Sequence, residues 1–488
     1  MQINFNSRSA LLAALLLLAF YFPLFLHLDS FGLRIYDEAR RAVNALEMSQ
    51  SGQWIVTTYE GAPDMWGTKP PMLIWWQAIF MNLLGPGNLA VRLPSALGGL
   101  MTVTMLFVLA YRKLGGWPAG LLASICLLTA RGFIDDHHSA RTGDFDSLLT
   151  FFSTAYLLCF FFYLEKKQDR YLYFTVVGII CAVLTKSIAS LLFGPGLFLY
   201  LILRKELLPL LRNPHFYFSA LLCIGGIAAF YLTREQLNPG YLQTVWENEL
   251  GGRYNETLES HKHPFFFYFG NLPKRFTYFW PLALVGMGYA IFMFRQTSQY
   301  SSRLAQYCSL SAFSYLFVIS NSATKLPWYD LPAYPMLALL AAIGWLLTLQ
   351  VLERIAWWQN QVGRRPWLKI LLTLGVLFYP YNRTIHYCLR EDPVKYHGPQ
   401  AYPHFIEFAE GEKNYHIASL FYRPNVRFYS SVYSMKGYSI TPTDPNHPPK
   451  AGEKLMICGD AEKKRVDDAG AQYDVLYHQE KCWLVEIK

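Results

Sequence analysis

Eleven runs of apolar residues, each close to the length that crosses a lipid bilayer, constrain this chain more than anything else in it. They lie near residues 10–28, 89–111, 117–133, 147–164, 171–185, 187–203, 214–232, 277–294, 304–320, 329–350 and 367–382. A helix needs roughly 20 apolar residues to span about 30 Å of hydrocarbon, and so many runs of this kind argue against a soluble globular chain. The composition agrees. Of 488 residues, 53% are hydrophobic and only 16% charged, where soluble proteins carry about 25% charged. Mean hydropathy is only +0.17, so substantial polar segments must separate the apolar ones. The expected fold class is an α-helical polytopic membrane protein with about 11–13 transmembrane helices. The pair at 171–203 is the least regular, because both members are short and Lys186 divides them. Arg8 precedes the first run, but no small-residue cleavage site follows it, so it reads as an uncleaved anchor.

The net charge of +9 would suit a nucleic-acid partner, but its distribution points elsewhere. With the N-terminus in the cytoplasm, the inner loops together carry 15 basic and 4 acidic residues. The outer segments up to residue 382 carry a slight acidic excess, and residues 383–488 are neutral. That is the positive-inside bias of a multi-pass membrane protein, so no nucleic-acid partner is expected. Three large pieces fall on the outer side: loop 29–88, loop 233–275 and residues 383–488. The stretch 70–84 mixes two tryptophans with apolar residues and is too short to span, so it reads as an interfacial helix. Residues 1–382 therefore read as a membrane domain and 383–488 as a small soluble α/β domain. Strands are expected there at Ile417–Leu420, Lys454–Cys458, Tyr473–Tyr477 and Cys482–Ile487, with a helix after Asp460. A Cys458–Cys482 bridge is one option if that domain lies in an oxidising compartment.

Charged residues near the spans gather on that same outer face. They are Asp37, Glu38, Lys69, Arg92, the Asp135–Asp136–His137–His138 run, Arg141, Asp144, Asp146, Lys186, Arg253, His261, His263 and Lys325. Ionisable groups at membrane depth cost about 2.5–3.5 kcal/mol each even on insertion scales, and usually line a cavity. Each also has a plainer reading. Asp37 could cap the helix 38–50, and Asp144 or Asp146 could cap the next span. Lys69, Lys186 and Lys325 could be snorkelling residues. His261 and His263 could be ordinary loop residues. The run of two aspartates and two histidines suits a divalent metal in its ligand types, or is simply a solvated loop. The coincidence on one face is what suggests a site for an anionic lipid head group.

Six ordered motifs carry a family likeness. They are Tyr36-Asp37-Glu38-Ala39-Arg40, Thr68-Lys69-Pro70-Pro71, Arg92-Leu93-Pro94-Ser95, Ala140-Arg141-Thr142-Gly143-Asp144-Phe145-Asp146, Leu184-Thr185-Lys186-Ser187, and Lys325-Leu326-Pro327-Trp328-Tyr329-Asp330-Leu331-Pro332. In this order the chain resembles the GT-C membrane glycosyltransferases of the protein O-mannosyltransferase and aminoarabinose transferase type, over about residues 30–345. The resemblance implies transfer of one sugar from a polyprenyl-phosphate carrier to an envelope acceptor, such as lipid A, with inversion at the anomeric carbon. It implies a catalytic set of Asp37 as base, Glu38 as its orienting neighbour, and Asp146 with Asp144 near the donor. It implies donor or acceptor contacts from Lys69, Arg141, Arg253, His261, Lys325 and Tyr329. No cofactor is required, and a divalent metal stays open. The implied partners are a polyprenyl-phosphate-linked sugar, a lipid or glycan acceptor and the bacterial inner membrane, with the active site and the C-terminal domain periplasmic. Two departures stand out. Thr68 replaces a glutamate that some relatives carry before the lysine, which removes a partner for Lys69. Arg41 replaces a tyrosine and adds a cation beside Asp37. Both leave the sugar undefined. Protein O-glycosylation by the same fold, or transport of lipid-linked sugars, are the rival readings, although no pair of matched broken helices in two similar halves marks a transporter.

Overall fold

In the computed structural model, residues 7–488 are described except for 136, 253–260, 294–297, 356–364, 366, 391–401, 403–405, 407–410 and 420–422. Every one of the eleven apolar runs forms helix: Ser7–Phe25, Asn88–Ala110, Trp117–Leu128, Phe145–Lys166, Arg170–Lys186, Gly194–Leu203, Pro214–Leu237, Trp280–Phe292, Tyr300–Asn321, Tyr334–Glu353 and Trp367–Cys388. Among the described residues, five continuous helical stretches are long and apolar enough to cross a membrane, the last of them being Pro327–Glu353. Others, such as Trp117–Leu128 with 12 residues and Gly194–Leu203 with 10, are apolar but shorter.

Helix packing relies on small residues, as expected where lipid removes the hydrophobic drive for helices to associate. Helices Trp280–Phe292 and Tyr334–Glu353 press together at Gly286 and Gly344. A Cβ on Gly286 would fall 2.2 Å from the Leu340 carbonyl oxygen, and one on Gly344 would fall 2.1 Å from that of Leu282. The irregular region around Lys186 has a clear form. Helix Arg170–Lys186 ends at Ser187, whose φ is 51°, and a short 3-10 turn over Ser187–Leu191 leads to the next helix. This break turns the end of the helix inward rather than toward lipid, and Lys186 is buried.

The first outer loop builds one wall of the site. Helix Asp37–Ser51 follows the end of the first helix, the short strands β1 (Thr58–Tyr59) and β2 (Ala62–Pro63) pair antiparallel after it, and Met72–Leu84 forms the expected short apolar helix. Two buried arginines fasten this loop. Arg92 donates to the carbonyls of Leu28, Phe31 and Gly32 at 3.0, 2.7 and 2.9 Å. Arg141 donates to the carbonyls of Pro23 and Leu26 at 2.8 and 2.6 Å. Carbonyls at a helix C-terminus lack intrahelical partners, and these guanidinium groups satisfy those near the end of the first helix. Arg141, expected at a substrate, is instead a fastening of the fold.

Residues beyond 411 form a five-stranded sheet in the order β4-β3-β5-β7-β6, where β3 is Asn414–Ala418, β4 Ser439–Thr443, β5 Lys454–Cys458, β6 Tyr473–Gln479 and β7 Cys482–Ile487. Strand β3 runs parallel to both β4 and β5, while β7 is antiparallel to β5 and β6. Three of the expected strands and the helix Asp460–Asp468 are present; the strand expected at Ile417–Leu420 lies instead at Asn414–Ala418, Leu420 being outside the described residues, and β4 and the helix Pro424–Ser434 were not foreseen. Cys458 and Cys482 face one another across β5 and β7 and are bridged. The unit grips the first outer loop through helix Pro424–Ser434. Tyr429 Oη accepts the Leu33 N–H at 2.9 Å and donates to Asn88 Oδ1 at 2.5 Å.

Candidate active site

The motif Asp37-Glu38 splits into two environments. Glu38 is 1% exposed. Its carboxylate accepts Arg92 Nε at 2.7 Å and Nη2 at 3.1 Å, and the backbone N–H groups of Arg34 and Gly143 at 2.8 Å each. Burial pushes its carboxyl upward, but Arg92 and these hydrogen bonds outweigh that and hold it below the ordinary carboxylate range. Gly143 must be glycine for this contact, since a Cβ would fall 2.4 Å from Val91 Cγ1. Glu38 thus joins three of the sequence motifs, and its oxygens are occupied by that task instead of facing a cleft.

Asp37 is the opposite case. Its side chain is 51% exposed and lies on a polar cleft of about 730 Å³. In helix Asp37–Ser51 the N-cap position falls on Tyr36, and Asp37 is the first helical residue. Its oxygens lie 3.6 Å from Arg41 Nη2 and 3.5 Å from His138 Nε2. The residue before it, Tyr36, has φ 77° and ψ −114°, a conformation that costs a non-glycine residue about 1–3 kcal/mol and is over-represented at functional sites.

His138 is the hub that the sequence did not single out from its run. Its Nδ1 lies 3.1 Å from Asp146 Oδ2 and 3.7 Å from Asp144 Oδ1, and its ring stacks on Trp328 with centroids 4.0 Å apart. Burial disfavours its charge, but Asp144 first, then Asp146 and Asp37, outweigh that and raise it to about 10. At neutral pH His138 is therefore an imidazolium shared among three carboxylates. Burial pushes Asp144 up to about 7, with His138 opposing and Asp37, Glu38 and Asp146 adding to the rise. Asp144 stands at the start of helix Phe145–Lys166 but makes no side-chain cap bond, and Asp146 does not cap it either. Asp146 instead pairs with Lys186 at 2.5 Å, which rules out a snorkelling role for that lysine.

Lys69 lies at the junction of two clefts. The polar one also holds Asp37, Arg41 and His261. A second, about 700 Å³ and largely apolar, is lined by Lys69, Asp146, Lys186, Tyr315 and Tyr329 among others. Lys69 Nζ donates to both oxygens of Glu249, at 2.6 and 2.7 Å, and Thr68 Oγ1 donates to the same carboxylate at 3.1 Å. Glu249, in the second outer loop, therefore takes the place that Thr68 had seemed to leave vacant. Its only sequence signal was an acidic residue in a loop.

Tyr329 borders the apolar cleft, beneath the Lys186 ammonium, which sits 4.9 Å from its ring centroid. Lys325 is not brought there. It is 5% exposed, its Nζ donates to the Ser322 carbonyl at 2.5 Å, and burial lowers its pKa. His261 reaches the polar cleft, while its own carbonyl accepts the Lys325 N–H at 3.0 Å. Arg253 and Asp136 lie outside the described residues. Among the described residues, no group of three His, Cys, Asp or Glu is arranged to hold a metal ion.

This architecture matches a solved structure over nearly its whole length. ArnT from Cupriavidus metallidurans, bound to undecaprenyl phosphate, superposes with a TM-score of 0.69 at 16% identity, covering 97% of each chain. The chain has the fold of ArnT. It is similar to the GT-C membrane glycosyltransferases and is an integral membrane protein. The oligosaccharyltransferase of Archaeoglobus fulgidus in its apo form shares the fold more distantly, with a TM-score of 0.51 at 12% identity, covering 89% of this chain and 64% of that one. Residues 68–231 match the family described as dolichyl-phosphate-mannose-protein mannosyltransferase. In sequence, the undecaprenyl phosphate-alpha-4-amino-4-deoxy-L-arabinose arabinosyl transferase of Pseudomonas savastanoi pv. phaseolicola is 30% identical over 345 residues, 68% of this chain and 60% of that protein. The corresponding transferase of Shewanella sediminis is 27% identical over 347 residues, 67% of this chain and 59% of that protein. An uncharacterized Aquifex aeolicus protein is 26% identical over 310 residues, 63% of this chain and 58% of that one. The chain thus spans about three-fifths of the length of these curated relatives.

Proposed function

We propose that this chain is an inverting glycosyltransferase. It moves a monosaccharide from a polyprenyl-phosphate donor to a cell-envelope acceptor such as lipid A, at the periplasmic face of a bacterial inner membrane. The observation that carries this reading is the position of Lys69 on the shared wall of an apolar cleft and a polar cleft that holds Asp37. A lipid-linked sugar phosphate needs such a junction, with room for an apolar tail, a cation for the phosphate and a carboxylate beyond it. Relatives named as undecaprenyl phosphate-dependent arabinosyl transferases support the donor class. The basic inner loops support the periplasmic orientation, and residues 383–488 then form a periplasmic domain.

The residues divide the work as follows. Lys69 offsets the charge that develops on the departing polyprenyl phosphate, a positioned cation being worth far more in a water-poor site. The acceptor oxygen attacks the anomeric carbon from the opposite side, the bond to the phosphate oxygen breaks, and configuration inverts. A hydroxyl acceptor gives its proton to Asp37, while a phosphate acceptor is already ionised and Asp37 then mainly positions it. His138 and Arg41 flank Asp37 and orient it. Asp146 holds His138 against Lys186, and Asp144 completes the acidic set. Glu38, Arg92 and Arg141 act through the fold, while Tyr329 and His261 border the two clefts.

The test is purified full-length protein in liposomes with a panel of undecaprenyl-phosphate sugars, scored for free carrier phosphate and for glycosylated acceptor. Both products are expected, and both are lost in Asp37→Ala while the protein still accumulates in membranes. Movement of the donor across the bilayer with neither product would overturn the enzyme reading in favour of a transporter.

A further inference from the structure

A further polar pocket, of about 940 Å³, opens around Asp135 and the end of helix Trp367–Cys388. Arg131, Lys274, Arg383, His386 and Arg390 line it, and among the described residues Asp135 is its only acidic one. Asp135 is already engaged, with its Oδ2 3.4 Å from Arg131 Nε. Among the described residues, Lys274, Arg383, His386 and Arg390 have no carboxylate within ion-pair distance. The site just described behaves otherwise. There Lys69, Arg92 and Lys186 each face a carboxylate at 2.5 to 2.7 Å. Lys274 and the two arginines at the end of helix Trp367–Cys388, converging from two chain segments, repel one another, and an anion between them removes that cost.

Position makes the pocket more specific. Arg383 and His386 share a face at the end of helix Trp367–Cys388 by their i, i+3 spacing, and Arg390 continues it just past the helix. One turn earlier on that helix, Phe378 and Tyr379 are 72% and 60% exposed, which suits acyl chains. The pocket also adjoins the catalytic hub, because Asp135 and His138 stand three residues apart and so within roughly 11 Å. It therefore lies on the active-site face, where a membrane protein otherwise carries few basic residues.

We propose that this pocket binds a phosphate group on the head group of the acceptor lipid, holding the acceptor beside Asp37 while its acyl chains stay in the bilayer. The name acceptor rests on the function proposed above, whereas the anion site does not. The same chemistry would serve free phosphate, and the test separates the two sources. Full-length protein in detergent is titrated by calorimetry with dihexanoyl phosphatidic acid, dihexanoyl phosphatidylcholine and inorganic phosphate, for wild type, Arg383→Gln/Arg390→Gln and Lys274→Gln.

The expected result is binding of phosphatidic acid at least about tenfold tighter than of the choline lipid or of inorganic phosphate, reduced about tenfold in the double variant, in line with the contribution of basic residues to anionic-lipid binding. Thermal unfolding at the wild-type temperature certifies the variants, whose altered side chains are exposed. Inorganic phosphate binding as tightly as the lipid overturns the head-group assignment, and unchanged lipid affinity in both variants overturns the site. In the transfer assay, the double variant should raise the acceptor KM about tenfold and leave the donor KM and kcat in place. Normal acceptor KM in an active variant overturns the acceptor role. Absence of transfer by the wild type would instead count against the proposed function, leaving the calorimetric result to stand by itself.

Discussion

Lys69 Nζ sits 2.6 and 2.7 Å from the two carboxylate oxygens of Glu249, and this ion pair is where the apolar and polar clefts meet. A phosphate that approaches Lys69 must therefore compete with a carboxylate already there. Glu249→Gln keeps the shape and removes the competing charge, so the donor KM is expected to fall about tenfold, equivalent to about 1.4 kcal/mol. Donor titrations in reconstituted protein check this. A donor KM that rises instead would make Glu249 a holder of Lys69 geometry rather than its competitor.

Neighbouring residues of one motif should fail in different ways. Asp37→Asn alters a half-exposed carboxylate and should lower kcat for a hydroxyl acceptor by about 10²–10⁴-fold, the usual range for a general base. Its unfolding temperature should stay at the wild-type value. Equal kcat in the two proteins would remove Asp37 from the chemistry.

Glu38→Ala leaves Arg92 buried without its carboxylate, and breaking one side of a buried pair costs about 3–5 kcal/mol. That variant should accumulate poorly and unfold at a lower temperature even before activity is measured. A stable, inactive Glu38→Ala protein would return Glu38 to the catalytic set.

The contrast explains which parts of the site were legible beforehand. Charges embedded in apolar sequence stand out, so the ordered motifs and the face they share could be read directly. Their roles could not, because each is decided by a partner distant in the chain. Lys69 meets Glu249 180 residues away, Arg92 meets Glu38 54 away, and Lys186 meets Asp146 40 away. Arg141 looked like a phosphate ligand because nothing local reveals that it binds the carbonyls of Pro23 and Leu26. The helices were legible for a simpler reason, since hydrophobic length alone specifies them. In the sheet, β4 escaped notice because it is an edge strand with only Ile440 buried and a proline at 442, a pattern that edges tolerate and central strands do not.

The sheet supplies its own test. Cys458 and Cys482 close a loop with a sequence separation of 24, and the chain-entropy account gives such a bridge about 3 kcal/mol. Cys458→Ser/Cys482→Ser should lower the first unfolding transition, followed by the near-ultraviolet signal, while helix Asp37–Ser51 loosens with its partner helix Pro424–Ser434. An unfolding profile unchanged by the double substitution would mean that docking on the first outer loop, not the bridge, holds the sheet together.

The imidazolium at His138 makes a claim about pH. Its folded pKa of about 10 lies above the ordinary 6.5, so protonated His138 stabilises the fold fully below about pH 6.5, and that contribution disappears as pH rises through 10. Asp144 acts in the other direction. Raised from 3.8 to about 7, it costs stability as pH climbs through that window. Gln in place of His138 removes the first effect and leaves three carboxylates without their shared cation. The difference in unfolding temperature between wild type and His138→Gln should therefore be largest near pH 6 and close progressively toward pH 10. Melting curves across that range in one detergent read this difference directly, and a gap that widens with pH would show that His138 is neutral in the folded protein.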